Sequence, residues 1–502
     1  THTCRAKQRP ILDIEDDQSL LKLASSSKAF NHLALHTYFS RHGLDTNNIV
    51  IKPTPNQSSS TTTNVYLRAL LISLDASGKD VNSLTYRYNC YDSISAIAEQ
   101  ILGVSRLIRR LGSIRELRLR SYVPFRFFSN AIDKANADLL DATFHKNPQE
   151  LYLASFGALI NGIGLKNQEM IEERGTPLQS LEHPHLFDTK SSRQPNRDTE
   201  LRRLRFDDFT SIFRQFSFNM VRLERFKLLT HLELANIISC EEQDFSTSLL
   251  DAEFPCLTHL IIDLCHRGEQ RILFDFVGRH GGITTLSFLL CDMYRRVEPL
   301  PVANLDSPPV LPKLQQLRVT PCYIPHFFSS TSSLVSIKKV ILDSDITMYR
   351  YRGENAYFFQ ALTALQSCPN RIDLSTTPKE FRNWLGSVNS NPSFLPKPSL
   401  SCVRSLLFSY RHVDFQDVEI TELPTWFGPF PDLEEVQLEV LTHNTRPDSF
   451  EFHDSKWNKK TSRAVAEQIK AACPTIQKFS VVQGQAKALS WGFDGGNAVS
   501  VS

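Results

Sequence analysis

One phrase recurs along this 502-residue chain: an apolar residue, two others, an apolar residue, one other, an apolar residue. It stands at Ile114-Leu117-Leu119, at Leu151 with Leu153, and at Leu229-Leu232-Leu234. It returns at Leu257-Leu260-Ile262, Ile283-Leu286-Phe288, Leu314-Leu317-Val319 and Ile337-Val340-Leu342. Ile372 with Leu374, Val403-Leu406-Phe408, Leu433-Val436-Leu438 and Ile476-Phe479-Val481 complete the series. The second and third apolar places lie two apart, so on a strand both side chains turn to one side. The first place fills the turn leading into that strand. One such unit has nothing to bury its apolar side against, whereas stacked units share a continuous core. A chain this long also exceeds what one compact core absorbs.

Starts at 229, 257, 283, 314 and 337 give steps of 28, 26, 31 and 23 residues. Leucine-rich repeats have periods of about 20–29 residues. Between the strand phrases, apolar residues fall three and four apart, the helical period. Ile94-Ile97-Ile101-Leu102, Ile272-Leu273-Phe276-Val277, Phe358-Phe359-Leu362-Leu365 and Val465-Ala466-Ile469 each precede a strand phrase. Gly281-Gly282, Cys368-Pro369 and Cys473-Pro474 stop helices there. Cysteine adds a register: Cys265, Cys291 and Cys322 each lie eight places after the first apolar residue of their unit. The expected fold is α/β, an irregular leucine-rich-repeat solenoid with parallel strands on the concave face and helices on the convex, over 65–490.

Composition narrows the function classes. Hydrophobic content is 41% and charged content 22%, ordinary globular values. The 56 basic and 54 acidic residues leave a net charge of +2, which gives no global steering toward nucleic acid or an anionic membrane. No run of about 18 apolar residues exists, so no membrane span is expected. Ten cysteines occur without a Cys-x-x-Cys pair, and residues 1–10 are polar and basic rather than signal-like. Reduced thiols and a cytoplasmic or nuclear location are expected. Stretches without period read as punctuation: a flexible linker over 46–64, an exposed insertion near 172–200, a loop with five prolines over 298–312, and a frayed tail over 491–502.

The run Asp16-Asp17-Gln18-Ser19-Leu20-Leu21-Lys22-Leu23-Ala24-Ser25 predicts a helix capped by its acids. A second helix follows Ser25-Ser26-Ser27, with Phe30, Leu33 and Ala34 on one side. Helices this short need a partner surface. Residues 17–34 resemble the second half of an F-box. The first half, which opens with Leu-Pro and an acidic residue, is missing or degenerate: only Arg9-Pro10-Ile11-Leu12-Asp13-Ile14 stands upstream. With the repeats, the chain resembles the F-box/leucine-rich-repeat proteins of fungal type. The resemblance implies a partial all-α F-box-like segment over 1–45 that docks a Skp-type adaptor and its cullin complex through Leu20, Leu21, Leu23, Ala24, Phe30 and Leu33. It implies a substrate-recognition subunit of an SCF-type ubiquitin ligase whose repeats hold a client protein. A scaffold with a decayed F-box, or a plain helical cap on the repeats, is the alternative.

Client binding is expected on the concave strand face. Alternation places Glu116, Arg118, Arg120, Tyr152, His231, Glu233, His259 and Asp263 there. Gln316, Arg318, Lys339, Asp343, Glu435, Gln437 and Glu439 continue the face, graded from basic to acidic toward 435. Arginines interleave with aromatics over 106–126, a pattern nucleic-acid binders use, but no matching stripe exists elsewhere and nucleic acid is not the expected partner. No Gly-x-Gly-x-x-Gly, Walker-type, His-Glu-x-x-His or Gly-x-Ser-x-Gly motif occurs, so no enzyme and no cofactor is expected. Cys256, His259, Cys265 and His266 are clustered in sequence, but strand alternation splits them, and no metal site is expected.

Overall fold

The recurring triplets lay down parallel strands, and the register of those strands lines the triplets up. The computed structural model describes residues 16–51, 65–73, 77–87, 94–120, 135, 138–139, 141–143, 145–154, 201–207, 226–238, 252–265, 270–290, 308–329, 334–343, 354–390, 399–411, 420–441, 459–483, 489–494 and 497–501. The insertion near 172–200, Cys291 and most of the expected linker lie outside the described residues. The chain divides into two compact units, Thr1–Cys256 and Leu257–Ser502.

Among the described residues of the first unit, the helices α1 (Asp17–Ser26), α2 (Lys28–Arg41), α3 (Val65–Ile72) and α4 (Ile94–Arg110) accompany six strands. These are β1 (Asn48–Ile51), β2 (Val81–Arg87), β3 (Ile114–Arg120), β4 (Glu150–Ala154), β5 (Arg203–Asp207) and β6 (His231–Ile238). Each pairs with the next in parallel, and Leu84, Leu117, Leu151, Leu204 and Leu232 fall opposite one another in a single buried row. Burying each such leucine stabilises by about 1.5–3 kcal/mol. Helix α4 follows from Ile97, Ile101, Val104, Leu107 and Ile108, all fully buried at helical spacing. Arg109 on α4 forks onto Asp138, with Nη2 2.7 Å from Oδ1. That guanidinium, ahead of a hydrogen bond from Ser105, holds the Asp138 carboxyl below its ordinary range.

Among the described residues of the second unit, ten strands run in sequence order. They are β7 (His259–Cys265), β8 (Thr285–Leu290), β9 (Gln316–Val319), β10 (Lys339–Leu342), β11 (Ile372–Thr376), β12 (Val403–Arg411), β13 (Glu435–Leu441), β14 (Lys478–Gln483), β15 (Leu489–Asp494) and β16 (Asn497–Ser500). β7 through β14 are parallel, and the row Leu260, Leu286, Leu317, Val340, Leu374, Leu406, Val436 and Phe479 is buried from end to end. Helices α5 (Gln270–Arg279), α6 (Ile324–Phe328), α7 (Glu354–Leu365), α8 (Pro378–Ser390) and α9 (Lys459–Ala472) cover one face. Ring contacts place them: Phe274 of α5 lies 4.9 Å from Phe288 of β8, and Phe381 of α8 lies 5.5 Å from Phe408 of β12. The turns after β9 and β12 are 3-10 helices, Pro321–Tyr323 and Ile420–Phe427, where proline disfavours a regular α-helix.

Two expectations change. Within the expected linker over 46–64, Asn48–Ile51 is a strand, because Ile49 and Ile51 alternate into the core beside Leu84 and Tyr86. The expected frayed tail instead forms β15 and β16, which turn antiparallel to β14. Trp491 there is buried 5.9 Å from Phe479, so the hairpin closes the last repeat. Repeat arrays need such an end cap. The cysteine register is described only in part: Cys322 lies in the 3-10 turn, where burial pushes its thiol pKa up.

One glycine is fixed by close approach. The Gly112 N–H donates to the Lys79 carbonyl at 2.8 Å, and the Gly78 N–H donates to the Arg110 carbonyl at 2.8 Å. A Cβ at 112 would meet the Gly78 carbonyl oxygen, and Asp80 Oδ1 at 2.7 Å. Gly112→Ala is therefore expected to cost about 1–3 kcal/mol, read as a lowered urea midpoint. An unchanged midpoint would show that the two turns part freely.

Candidate protein-binding surface

On every strand the residues between the buried apolar places point away from the helices, and register collects them into rows. In the first unit one row runs Asn48, Ser83, Glu116, Glu150, Arg203, His231. The next runs Val50, Thr85, Arg118, Tyr152, Arg205, Glu233. A third begins with Arg87 opposite Arg120. Ion pairs link these residues: Arg118 with Glu116 from one row to the next, and within rows Arg203 with Glu150 at 3.7 Å and Arg205 with Glu233 at 3.2 Å. The Arg205 guanidinium also sits 4.9 Å above the Tyr152 ring, a cation–π contact that fixes both side chains.

In the second unit the first row is His259, Thr285, Gln316, Lys339, Asp373, Ser405, Glu435 and Lys478. The middle row is Ile261, Ser287, Arg318, Ile341, Ser375, Leu407, Gln437 and Ser480. This row is less charged, and Ile261, Ile341 and Leu407 are half-buried. His259 Nδ1 lies 2.9 Å from Thr258 Oγ1, and His231 Nδ1 lies 2.8 Å from Thr230 Oγ1, so both imidazoles are held by the threonine before them.

The fifteen residues expected on this face do lie between the core positions, but two details differ. Asp343 is 7% exposed rather than open, because Arg318 from the preceding repeat lies over it, its Nε 2.7 Å from Oδ2. The acidity expected near 435 is locally balanced. Lys478 Nζ lies 2.6 Å from Glu435, Arg371 lies 2.6 Å from Glu434, and Arg404 lies 3.0 Å from Asp373. Asp373 in turn raises the pKa of Arg404. Sequence inspection missed Arg87, Arg203 and Arg205 altogether. The signal was present, since Val81-Leu84-Tyr86 and Leu201-Leu204-Phe206 have the triplet spacing with an aromatic in third place.

The expected adaptor-docking residues separate into two groups. Leu20, Leu21 and Ala24 are 0–3% exposed, buried by the chain's own helices, so they are not a docking surface. Asn31 joins these helices: its Nδ2 donates to the Ala24 carbonyl at 3.0 Å and to the Ile72 carbonyl at 2.9 Å, tying α1, α2 and α3 together. Leu23 and Leu33 are half-buried, and Phe30 is 37% exposed. Asp16 caps α1, accepting from the Ser19 hydroxyl at 2.6 Å and the Ser19 N–H at 2.8 Å, and these hydrogen bonds lower its pKa.

Among the described residues, no group of three or more histidine, cysteine, aspartate or glutamate side chains could hold a metal ion. Cys256, Cys322, Cys368, Cys402 and Cys473 are free thiols. No described helix is long and apolar enough to cross a membrane.

The strands and their rows define an α/β protein of repeated units on a mostly parallel sheet. No protein-family model matches the sequence, and no curated protein matches it. Among solved structures it is similar to the leucine-rich repeat-containing protein LegL7 from Legionella pneumophila. Identity is 14%, over 57% of this chain and 92% of that one, with a TM-score of 0.30. The class therefore rests on this chain's own register.

Proposed function

We propose that this chain is a leucine-rich-repeat receptor that catalyses nothing and holds a polypeptide client on the open face of its strands. The observation that carries this is the set of in-register rows on side chains that the helices leave uncovered. In the second unit they place Arg318 opposite half-buried Ile341 on adjacent strands, with half-buried Leu407 two strands further along the same row. Such a mixture suits protein partners, where apolar anchors give affinity and charge gives orientation and rate.

The finer reading is that the N-terminal helices tether the receptor to a Skp-type adaptor of a cullin–RING ubiquitin ligase. The F-box resemblance of 17–34 supports it, and so does the exposure of Phe30 beside half-buried Leu23 and Leu33. Function would then be proximity, with client and ligase held on one body so that transfer becomes effectively intramolecular.

The test places a photo-crosslinking residue at Leu407 or Gln437 on the open face, and at Lys459 on α9 as a control. The expected result is one reproducible polypeptide joined from the face positions, which then binds the purified chain and loses affinity on Leu407→Asp. Equal crosslinking from Lys459, or purified binding indifferent to Leu407→Asp, would overturn the assignment of the face.

A further inference from the structure

Helices α7 and α9 both run into a Cys-Pro turn, at Cys368-Pro369 and Cys473-Pro474. The two thiols meet different company. Cys473 Sγ lies 3.8 Å from the Leu433 carbonyl, 3.9 Å from that of Phe430 and 3.3 Å from Thr475 Oγ1, so its neighbours are protein oxygens. Cys368 instead meets Cys402, which enters β12 in the next repeat. The Leu365 carbonyl gathers the two residues: it accepts the Cys368 N–H at 2.9 Å and lies 3.2 Å from Cys402 Sγ. The Ile372 N–H donates to the Cys402 carbonyl at 2.7 Å and closes the same pair of turns. The thiols themselves form a hydrogen-bonded pair. Strand pairing is irregular beside them. Ile372 faces Val403 whereas Asp373 faces Ser405, so the register slips by one residue where β11 and β12 begin to pair.

We propose that Cys368 and Cys402 are a modification site, a dithiol that hydrogen peroxide oxidises to a disulfide clipping two successive repeats together. Cys368 is 8% exposed and Cys402 is half-buried, so a small hydroperoxide suits the site and a bulky disulfide oxidant does not. The contact with Cys402 lowers the pKa of Cys368 against the opposing effect of burial, and the same contact raises that of Cys402. Cys368 is therefore the thiolate of the pair, and the thiolate is the nucleophile. Its sulfur attacks one peroxide oxygen, the O–O bond breaks, and the departing hydroxide takes a proton to become water. Cys368 is then a sulfenic acid. The Cys402 sulfur attacks the Cys368 sulfur, the S–O bond breaks, and the hydroxide leaves as water with the Cys402 proton. The two thiols together lose two electrons and two protons, and the peroxide becomes two waters. The bridge joins residues 34 apart in sequence (402 − 368), and closing a loop of that size restricts the unfolded chain. It pins the irregular start of the β11–β12 pairing, five residues before Leu407 on the open face (407 − 402). The chemistry is independent of the receptor reading.

The experiment treats the reduced full chain with hydrogen peroxide, quenches with catalase and blocks the remaining thiols with N-ethylmaleimide. Peptide mapping by mass spectrometry then reads each cysteine. The expected result is a bridge between the peptides holding Cys368 and Cys402, reversed by dithiothreitol. It forms about tenfold or more faster than Cys473 is oxidised, because Cys473 meets protein oxygens rather than a second thiol. In Cys402→Ser the resolving sulfur is gone, and dimedone is expected to trap a sulfenic acid on Cys368. In Cys368→Ser, Cys402 is expected to be labelled no faster than Cys473. Melts that overlay the wild type confirm that both variants fold, and the wild-type map stands without them. Oxidised wild type is expected to exchange its amides about tenfold or more slowly over 372–376 and 403–408. Absence of a Cys368–Cys402 bridge, bridging of either thiol mainly to another cysteine, or oxidation no faster than that of Cys473 would each overturn the proposal. Sulfenic acid forming on Cys402 at the wild-type rate in Cys368→Ser would overturn the assignment of the nucleophile.

Discussion

Phe381→Ala is expected to remove about 3–5 kcal/mol from the second unit, the cost of a fully buried phenylalanine whose cavity cannot collapse. Phe381 has no exposed surface and sits among five rings. Trp384 lies 5.0 Å away, Phe408 5.5 Å, Phe430 5.6 Å, Trp426 6.0 Å and Phe358 6.4 Å between ring centroids. These rings come from α7, α8, β12, the 3-10 helix after it and the turn into β13. One side chain therefore joins three successive repeats. Aromatic pairs of this geometry add about 0.5–1.5 kcal/mol each beyond area burial. In a repeat array stability is a sum of local terms and neighbour interfaces. The loss should appear as faster amide exchange across 354–441, with β1 to β6 keeping their protection. Phe381→Leu conserves most of the volume and is expected to cost less than about 1.5 kcal/mol. Equal loss of protection throughout both units would show that the chain melts as one body instead.

The ladder was legible because its signal is redundant. Each triplet states the same geometry, so an error in one unit does not move the others. What escaped notice did so for local reasons. Tyr86 and Phe206 complete two further triplets of the same spacing, with the aromatic third place that Phe288 and Phe408 also show. Ile49 and Ile51 give only one alternation before Pro53, too short to outweigh a polar neighbourhood. The terminal hairpin has the glycine and serine content of a loose end, and only contact between Trp491 and Phe479 gives it a role. The binding face divides in the same way. Alternation along one strand predicts which side a residue takes, so Arg118, Tyr152 and Glu233 were accessible to sequence inspection. Which residue lies beside which depends on the offset between strands, and insertions of unknown path set that offset. The burial of Asp343 under Arg318 and the stacking of Arg205 on Tyr152 are consequences of register, and no single segment encodes them.

The same distinction decides how the F-box resemblance should be tested. Leu20→Asp places a carboxylate where no surface is exposed. An unpaired buried charge costs at least about 3 kcal/mol or shifts its pKa to neutralise. The expected outcome is that α1 detaches from α2 and α3, breaking the two hydrogen bonds of Asn31 to Ala24 and Ile72. Far-UV helicity falls and protease cuts within residues 17–41. Adaptor binding lost in that variant would report unfolding rather than contact. Phe30→Asp separates the two. Phe30 is the most exposed of the six expected docking residues, and a surface substitution there should change stability by no more than about 0.5 kcal/mol. If α1 and α2 dock a Skp-type adaptor, co-precipitation is abolished in Phe30→Asp while its melt overlays that of the wild type. If adaptor binding survives with the ring gone, the exposed edge of these helices is not the docking surface. The segment is then a cap that shields the first repeat, which its buried leucines already equip it to be.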